Sequence, residues 1–139
     1  MRKAFKYRLY PNREQEHTLS WTLTRCRELY NAALSERKDA YQSAGKSISY
    51  YDQQNALPEI KAEIREEYQD IAAHVLQDVL RRLNKAFDNF FRRCKNGENP
   101  GYPVRRIVGR FRVQQMLLEL MERSMHTSLT LHLERGRQP

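Results

Sequence analysis

Residues 12–45 read NREQEHTLSWTLTRCRELYNAALSERKDAYQSAG. Within this stretch Leu19, Leu23, Cys26, Leu29, Tyr30, Ala33 and Leu34 recur at spacings of three and four. That period puts them on one apolar stripe of a long amphipathic helix. Asn12 is placed as its N-cap, with Gln15 three residues on to complete a capping box. The turn cluster Ser43-Ala44-Gly45-Lys46-Ser47 ends it, with Gly45 as the residue just past the helix. The pattern predicts a helix over about Arg13 to Ser43, with Trp21 and Arg25 at the margins of the stripe.

Working downstream, Ser49 is a cap for a short helix, Tyr50 to Leu57, that stops before Pro58. Pro58 suits the first turn of a further acidic helical stretch, Glu59 to Glu67, where its missing N–H does no harm. A third strong element is predicted from about Asp70 to Lys95, with Ile71, Val75, Val79, Leu83, Phe87 (or Ala86), Phe90 and Cys94 on one stripe. Asn96 to Pro103 is a loop, because it holds four of the chain's ten Gly and Pro residues. Beyond it, Val104 to Arg112 is basic and β-branched. Met116 to Met121 reads as one or two helical turns, and Thr127 to Glu134 alternates Leu129, Leu131 and Leu133 with polar residues.

Working upstream, Phe5, Tyr7 and Leu9 alternate with Ala4, Lys6, Arg8 and Tyr10, which is the period of a half-buried strand with a basic outer face. Such a strand needs a mate from later in the chain to satisfy its backbone. Pro11 ends it.

The 139 residues carry a net charge of +8, unevenly spread. Residues 1–30 hold seven Lys/Arg against three Asp/Glu, residues 31–80 five against nine, residues 81–115 ten against two, and residues 116–139 three against three. Two basic blocks flank an acidic middle. A polyanion-facing surface built from both blocks would bind nucleic acid in a salt-sensitive way, whereas a solvated basic surface is the plainer explanation of the same charge.

Several classes of function are disfavoured. Mean hydropathy is −0.88, and the longest apolar run, Ile71 to Leu80, is broken by His74, Gln77 and Asp78, so no stretch approaches the roughly 20 residues of a membrane span. No secretory signal follows the basic start, so a cytoplasmic setting with Cys26 and Cys94 reduced is expected. Both cysteines fall on apolar stripes and read as core residues. His126 and His132 share a strand face but have no carboxylate or thiolate partner, and the acidic run Glu63, Glu66, Glu67 and Asp70 reads as a solvated helix face. With no phosphate loop, nucleophile elbow or zinc quartet, the residues offer no active site, cofactor or metal.

Two ordered segments nevertheless carry a family likeness. The first is Lys6-Tyr7-Arg8-Leu9-Tyr10-Pro11-Asn12 with Gln15, then Arg25 and Tyr30-Asn31. The second runs from Val75 through Arg92-Arg93 and continues as Gly97-Glu98, Pro100-Gly101-Tyr102-Pro103. Together these resemble the opening of the insertion-sequence OrfB (TnpB) family of transposon proteins, over about residues 1–103. Full-length members of that family are RNA-guided DNA nucleases, ancestral to type V CRISPR effectors. The resemblance implies an N-terminal wedge-type strand, a helical recognition lobe labelled helix-turn-helix, and a guide RNA–DNA hybrid gripped through its backbone.

The likeness stops after Pro103. Where the family continues with Arg-Phe-Lys, this chain has Val104-Arg105-Arg106-Ile107, and no position matches the nuclease carboxylates or the zinc ribbon. Residues 104–139 therefore read as a divergent tail of the kind a frameshift leaves, in a truncated copy.

The expectation is a mainly α protein: an N-terminal β-strand (1–11), a long-helix bundle that handles nucleic acid (12–103) and a poorly defined tail (104–139). It is expected to bind DNA, guide RNA or both without being an enzyme. Lys3, Lys6, Arg8, Arg81, Arg82, Lys85, Arg92 and Arg93 are the candidate phosphate contacts, and Tyr7 and Tyr10 the candidate stacking surfaces. The competing expectations are a helical protein-interaction module and a decayed reading frame.

Overall fold

The computed structural model of the chain describes residue 8 and residues 10–106. Its first element, α1, runs Arg13–Ala44, a single uninterrupted rod about 48 Å long. Both ends are set by the signals in the sequence. The Asn12 side chain accepts from the Gln15 N–H at 2.8 Å, and the Gln15 side chain accepts from the Asn12 N–H at 3.0 Å. At the far end Gly45 takes φ 62°, a left-handed conformation that lets its N–H turn back to the carbonyls of Ala40 and Tyr41.

After the Gly45–Ser49 turn the chain descends alongside α1. Helix α2, Tyr50–Glu59, opens on a second capping box between Ser49 and Asp52. It continues through Pro58, passes into a π turn at Ile60–Ile64 and then a 3₁₀ turn at Glu66–Asp70. The expected break before Pro58 is thus corrected: the helix carries the proline in its last turn. A proline there cannot donate and crowds the carbonyl four residues back. The widened turn that follows, closed by the Arg65 N–H on the Ile60 carbonyl at 2.8 Å, is where the helix gives way. Gln53 meets Ala33 and Glu36 near the top of α1, while Arg65 meets Glu28 lower down, so this leg runs antiparallel to α1.

Helix α3, Ala73–Lys95, starts three residues later than expected. Ile71 is extended rather than helical, and the kink turns Tyr68 and Ile71 into the core. The helix ends in a Schellman motif: Gly97 has φ 70°, its N–H bonds the Cys94 carbonyl, and the Glu98 N–H bonds the Arg93 carbonyl. The three legs enclose one apolar core of Leu23, Cys26, Leu29, Tyr30, Ala33 and Leu34 from α1, Leu57, Tyr68 and Ile71 from the descending leg, and Leu76, Val79, Leu80, Leu83 and Phe87 from α3. Cys26 lies fully inside it, but Cys94 is exposed, which corrects its expected place in the core. Val75 and Phe90 are half-buried. Among the described residues, no element beyond Phe87 covers α3 on that side except the Tyr102 ring.

The expected N-terminal strand is also corrected. Among the described residues there is no strand; Arg8, Tyr10 and Pro11 are irregular, and Tyr10 is 81% exposed. The described part of the chain supplies no edge to pair with, and a strand without a mate leaves its backbone unsatisfied. The rest of that stretch, with Lys3, Lys6 and Tyr7, lies outside the described residues. So do the helical turns expected at 116–121, the alternation at 127–134 and the tail from 107 on.

Candidate nucleic-acid interface

The basic end of α3 provides the most concentrated charge. Residues 81–95 carry six Lys/Arg and one acidic residue, Asp88. Helical geometry sorts these cations. Arg81, Lys85 and Arg92 are four and seven residues apart, which places them on one outward face opposite the buried stripe. All three are exposed, and no described residue forms an ion pair with any of them. The row extends about 16 Å along the helix, close to five phosphate steps of one strand of a duplex.

The other two expected contacts on α3 are turned aside. Arg82 is half-buried and its Nε donates to Asp78 Oδ2 at 2.8 Å. Arg93 is exposed, with its Nε 4.0 Å from Glu98 Oε2. At the N-terminus the Arg8 guanidinium lies over the Tyr10 ring, 5.4 Å from its centroid. No contact among the described residues joins Arg8 or Tyr10 to α3, and Lys3, Lys6 and Tyr7 fall outside the described residues. Of the expected set, Arg81, Lys85 and Arg92 share one outward face of α3.

Behind this face is a buried polar junction that fixes α3 against the other two legs. Arg37 is only 8% exposed. Its Nε donates to Gln53 Oε1 at 2.8 Å and its Nη1 to Asn84 Oδ1 at 3.2 Å. Its guanidinium carbon lies 5.2 Å from the Phe87 ring centroid. Gln53 in turn donates to the Ala33 carbonyl and to Glu36 Oε2. Burial pulls the Arg37 pKa down, opposed by the negative charges of Asp88, Glu36 and Asp52. The sequence reading missed this junction. Its signal was there, since Arg37 is four residues from Ala33 and three from Leu34, a charge sitting on an apolar stripe.

A second missed feature anchors the loop after α3. Asn31 Nδ2 donates to the Arg106 carbonyl at 3.0 Å and Asn31 Oδ1 accepts from the Arg106 N–H at 2.8 Å. The Arg106 guanidinium lies over Tyr30, 5.2 Å from the ring centroid, and Pro103 is buried. The loop is thereby laid back across α1. Lower on the bundle, Arg25, Glu28, Arg65 and Glu67 form a ring of ion pairs at 2.8 to 3.7 Å that ties α1 to the foot of the descending leg.

Among the described residues no group of His, Cys, Asp and Glu is arranged to hold a metal ion, and no helix is long and apolar enough to cross a membrane.

Comparison with known proteins agrees in kind. A family model described as a helix-turn-helix domain, of the OrfB IS605 type, matches residues 1–46, a segment that holds α1 and its capping glycine. A protein of Streptomyces pristinaespiralis named as an RNA-guided DNA endonuclease is 37% identical over 107 residues, covering 76% of this chain and 26% of its own length. The Escherichia coli K12 protein InsQ, also named as an RNA-guided DNA endonuclease, is 30% identical over 108 residues, covering 72% of this chain and 27% of its own. The chain thus spans about a quarter of the length of these relatives. Through these matches the chain is identified as carrying an N-terminal region of the insertion-sequence OrfB (TnpB) family.

Proposed function

We propose that this chain binds nucleic acid through the phosphate backbone, using the outward row Arg81, Lys85 and Arg92 of α3 as its grip. Arg82 and Arg93 border the row, and Lys3, Lys6 and Arg8 add charge from the N-terminal stretch. The observation that carries the reading is the row itself: three cations on one face, without ion-pair partners among the described residues. Unpaired surface cations cost nothing to redirect onto a phosphate, whereas Arg82 must first release Asp78. The names of the relatives, RNA-guided DNA endonucleases, support DNA and a guide RNA as the ligands. For this segment we assign binding and positioning, with no bond made or broken.

The physics of such a grip is counterion release. Each phosphate neutralised frees condensed cations, so affinity falls with salt in proportion to the number of contacts. Three contacts predict a loss of about 40-fold between 50 and 200 mM salt, and five about 500-fold. Arg37 keeps the row in place by locking α3 to α1 and α2. The test is a salt titration of binding to a duplex and to a structured RNA, with Arg81→Ala and Arg92→Ala beside the unmodified chain. Absence of binding to both ligands at low salt would falsify the reading.

A further inference from the structure

Next to the cationic row, the end of α3 exposes aromatic rings. Phe91 is 60% exposed and Tyr102 45%, whereas Phe87, one turn before Phe91, is in the core. The rings are held from beneath. Phe91 stacks on Phe87 with centroids 6.2 Å apart and planes 27° from parallel, and meets Phe90 edge-on at 5.3 Å. Tyr102, returned by the loop, stands edge-on to Phe87 at 5.8 Å and to Phe90 at 5.3 Å. The exposed Phe91 and Tyr102 are thus braced by the buried Phe87 and the half-buried Phe90, which limits the rotamer freedom left to lose on binding. Arg92, Arg93 and Lys95 neighbour the rings in sequence, against the two carboxylates Asp88 and Glu98, of which Glu98 lies 4.0 Å from Arg93, and Lys95 stands one helical turn from Phe91 on the same side.

We propose that the exposed face of Phe91 is a shelf on which an unpaired base of single-stranded nucleic acid stacks, with Tyr102, whose ring stands steeply to it, as a side wall, while the neighbouring cations hold the flanking phosphates. This rests on the proposed nucleic-acid binding and specifies its ligand. An exposed aromatic face with more cations than carboxylates beside it is complementary to a nucleotide, which joins a flat π face to an anion. A continuous duplex keeps its base faces inside the stack and offers the shelf nothing, so the shelf selects single strands, bulges or frayed ends.

The experiment measures fluorescence anisotropy of a labelled 16-nucleotide mixed-sequence single strand and of the blunt duplex of the same sequence. The full chain is compared with Phe91→Leu and with Phe91→Leu, Tyr102→Leu. Leucine keeps apolar packing on Phe87 and Phe90 but removes the π face. The double variant is expected to weaken single-strand binding about tenfold or more, to leave duplex binding and the salt slope within about twofold, and to melt cooperatively. Phe91→Trp, with a larger face, is expected to bind the single strand at least as well as the unmodified chain.

Single-strand affinity unchanged in the double variant, or an equal loss on both ligands, overturns the shelf and leaves backbone binding standing. Loss of self-association in Phe91→Leu with single-strand binding intact assigns the patch to a protein contact and overturns it too. An unmodified chain that binds neither ligand at low salt overturns the backbone reading and the shelf together.

Discussion

The Asn31 side chain holds the backbone of Arg106 by both of its polar groups, donating at 3.0 Å and accepting at 2.8 Å across 75 residues of chain. A carboxamide that pairs with the N–H and the C=O of a single residue does what an adjacent β-strand would do for that residue. α1 therefore offers the departing chain one residue's worth of sheet edge, which fixes the loop that carries Tyr102. Replacing Asn31 by Leu removes both bonds. The expected cost is about 1–3 kcal/mol, at about 0.5–1.5 kcal/mol for each bond lost. Hydrogen exchange locates it: the Arg106 amide should lose protection while the α1 amides keep theirs. Asn31→Asp, which keeps the acceptor and loses the donor, should fall between.

Arg37 is the next test, because three legs meet on it. Arg37→Ala leaves Gln53 Oε1 and Asn84 Oδ1 without their donor. We expect a loss of about 2–4 kcal/mol in denaturant unfolding. Arg37→Met, which keeps volume but not charge, should recover part of that if Gln53→Leu is made with it, since the buried acceptor is then gone as well. The double-mutant cycle should give a coupling energy of about 0.5–3 kcal/mol. Independent effects would show that the hydrogen bonds at this junction contribute little.

The two cysteines separate by chemistry. Burial pushes the Cys26 thiol up from 9.0 to about 11, with the charge of Asp78 adding to the shift. A thiol reagent should therefore modify one site, Cys94, in the native chain at neutral pH, and both only in denaturant. The shift also links stability to pH. The native state keeps a proton that the unfolded chain releases above pH 9.0, so this contribution is complete below pH 9.0 and is lost as pH rises towards 11. From pH 8.5 to 11 the unmodified chain should lose about 1–3 kcal/mol more than Cys26→Ala. Equal losses would place Cys26 in a less apolar site.

Much of this architecture is legible in the sequence because it is written locally. Asn12 and Gln15 give the start of α1, Gly45 its end, and Ser49 the start of α2, since caps depend on a few adjacent residues. The stripe from Leu23 to Leu34 gives the buried face. What was not legible depends on contacts far along the chain. The alternation Phe5, Tyr7, Leu9 predicts a strand, but a strand is made by its partner, and the described residues contain none. Cys94 has the spacing of a core residue, yet no described residue buries that turn of α3. Pro58 reads as a helix start by its neighbours, whereas the packing of Leu57 and Ile60 carries the helix through it. In the candidate interface helical spacing already groups Arg81, Lys85 and Arg92 and sets Arg82 four residues from Asp78. The packing of α3 shows which of these faces points outward and that Arg82 is engaged with Asp78.

Because that face is exposed and lies opposite the buried stripe of α3, removing its charge should spare the fold. Arg81→Ala and Lys85→Ala sit near the middle of α3 on an exposed surface, and alanine is the better helix former. Each should change unfolding stability by less than about 0.5 kcal/mol. Arg92 lies in the last turn, where a cation favours the helix dipole, so Arg92→Ala should cost about 0.3–1 kcal/mol. A larger loss from Arg81→Ala or Lys85→Ala in a thermal melt would mean that these side chains hold the structure together.

The central claim is that the row on α3 contacts phosphates, and the slope of log affinity against log salt measures it most directly. A slope of about −0.9 per contact is expected on duplex DNA. The triple variant Arg81→Ala, Lys85→Ala, Arg92→Ala should therefore flatten the slope by about 2.7 relative to the unmodified chain, with the melt still cooperative. An unchanged slope, with both chains folded and binding, would contradict the account and move the contact surface elsewhere.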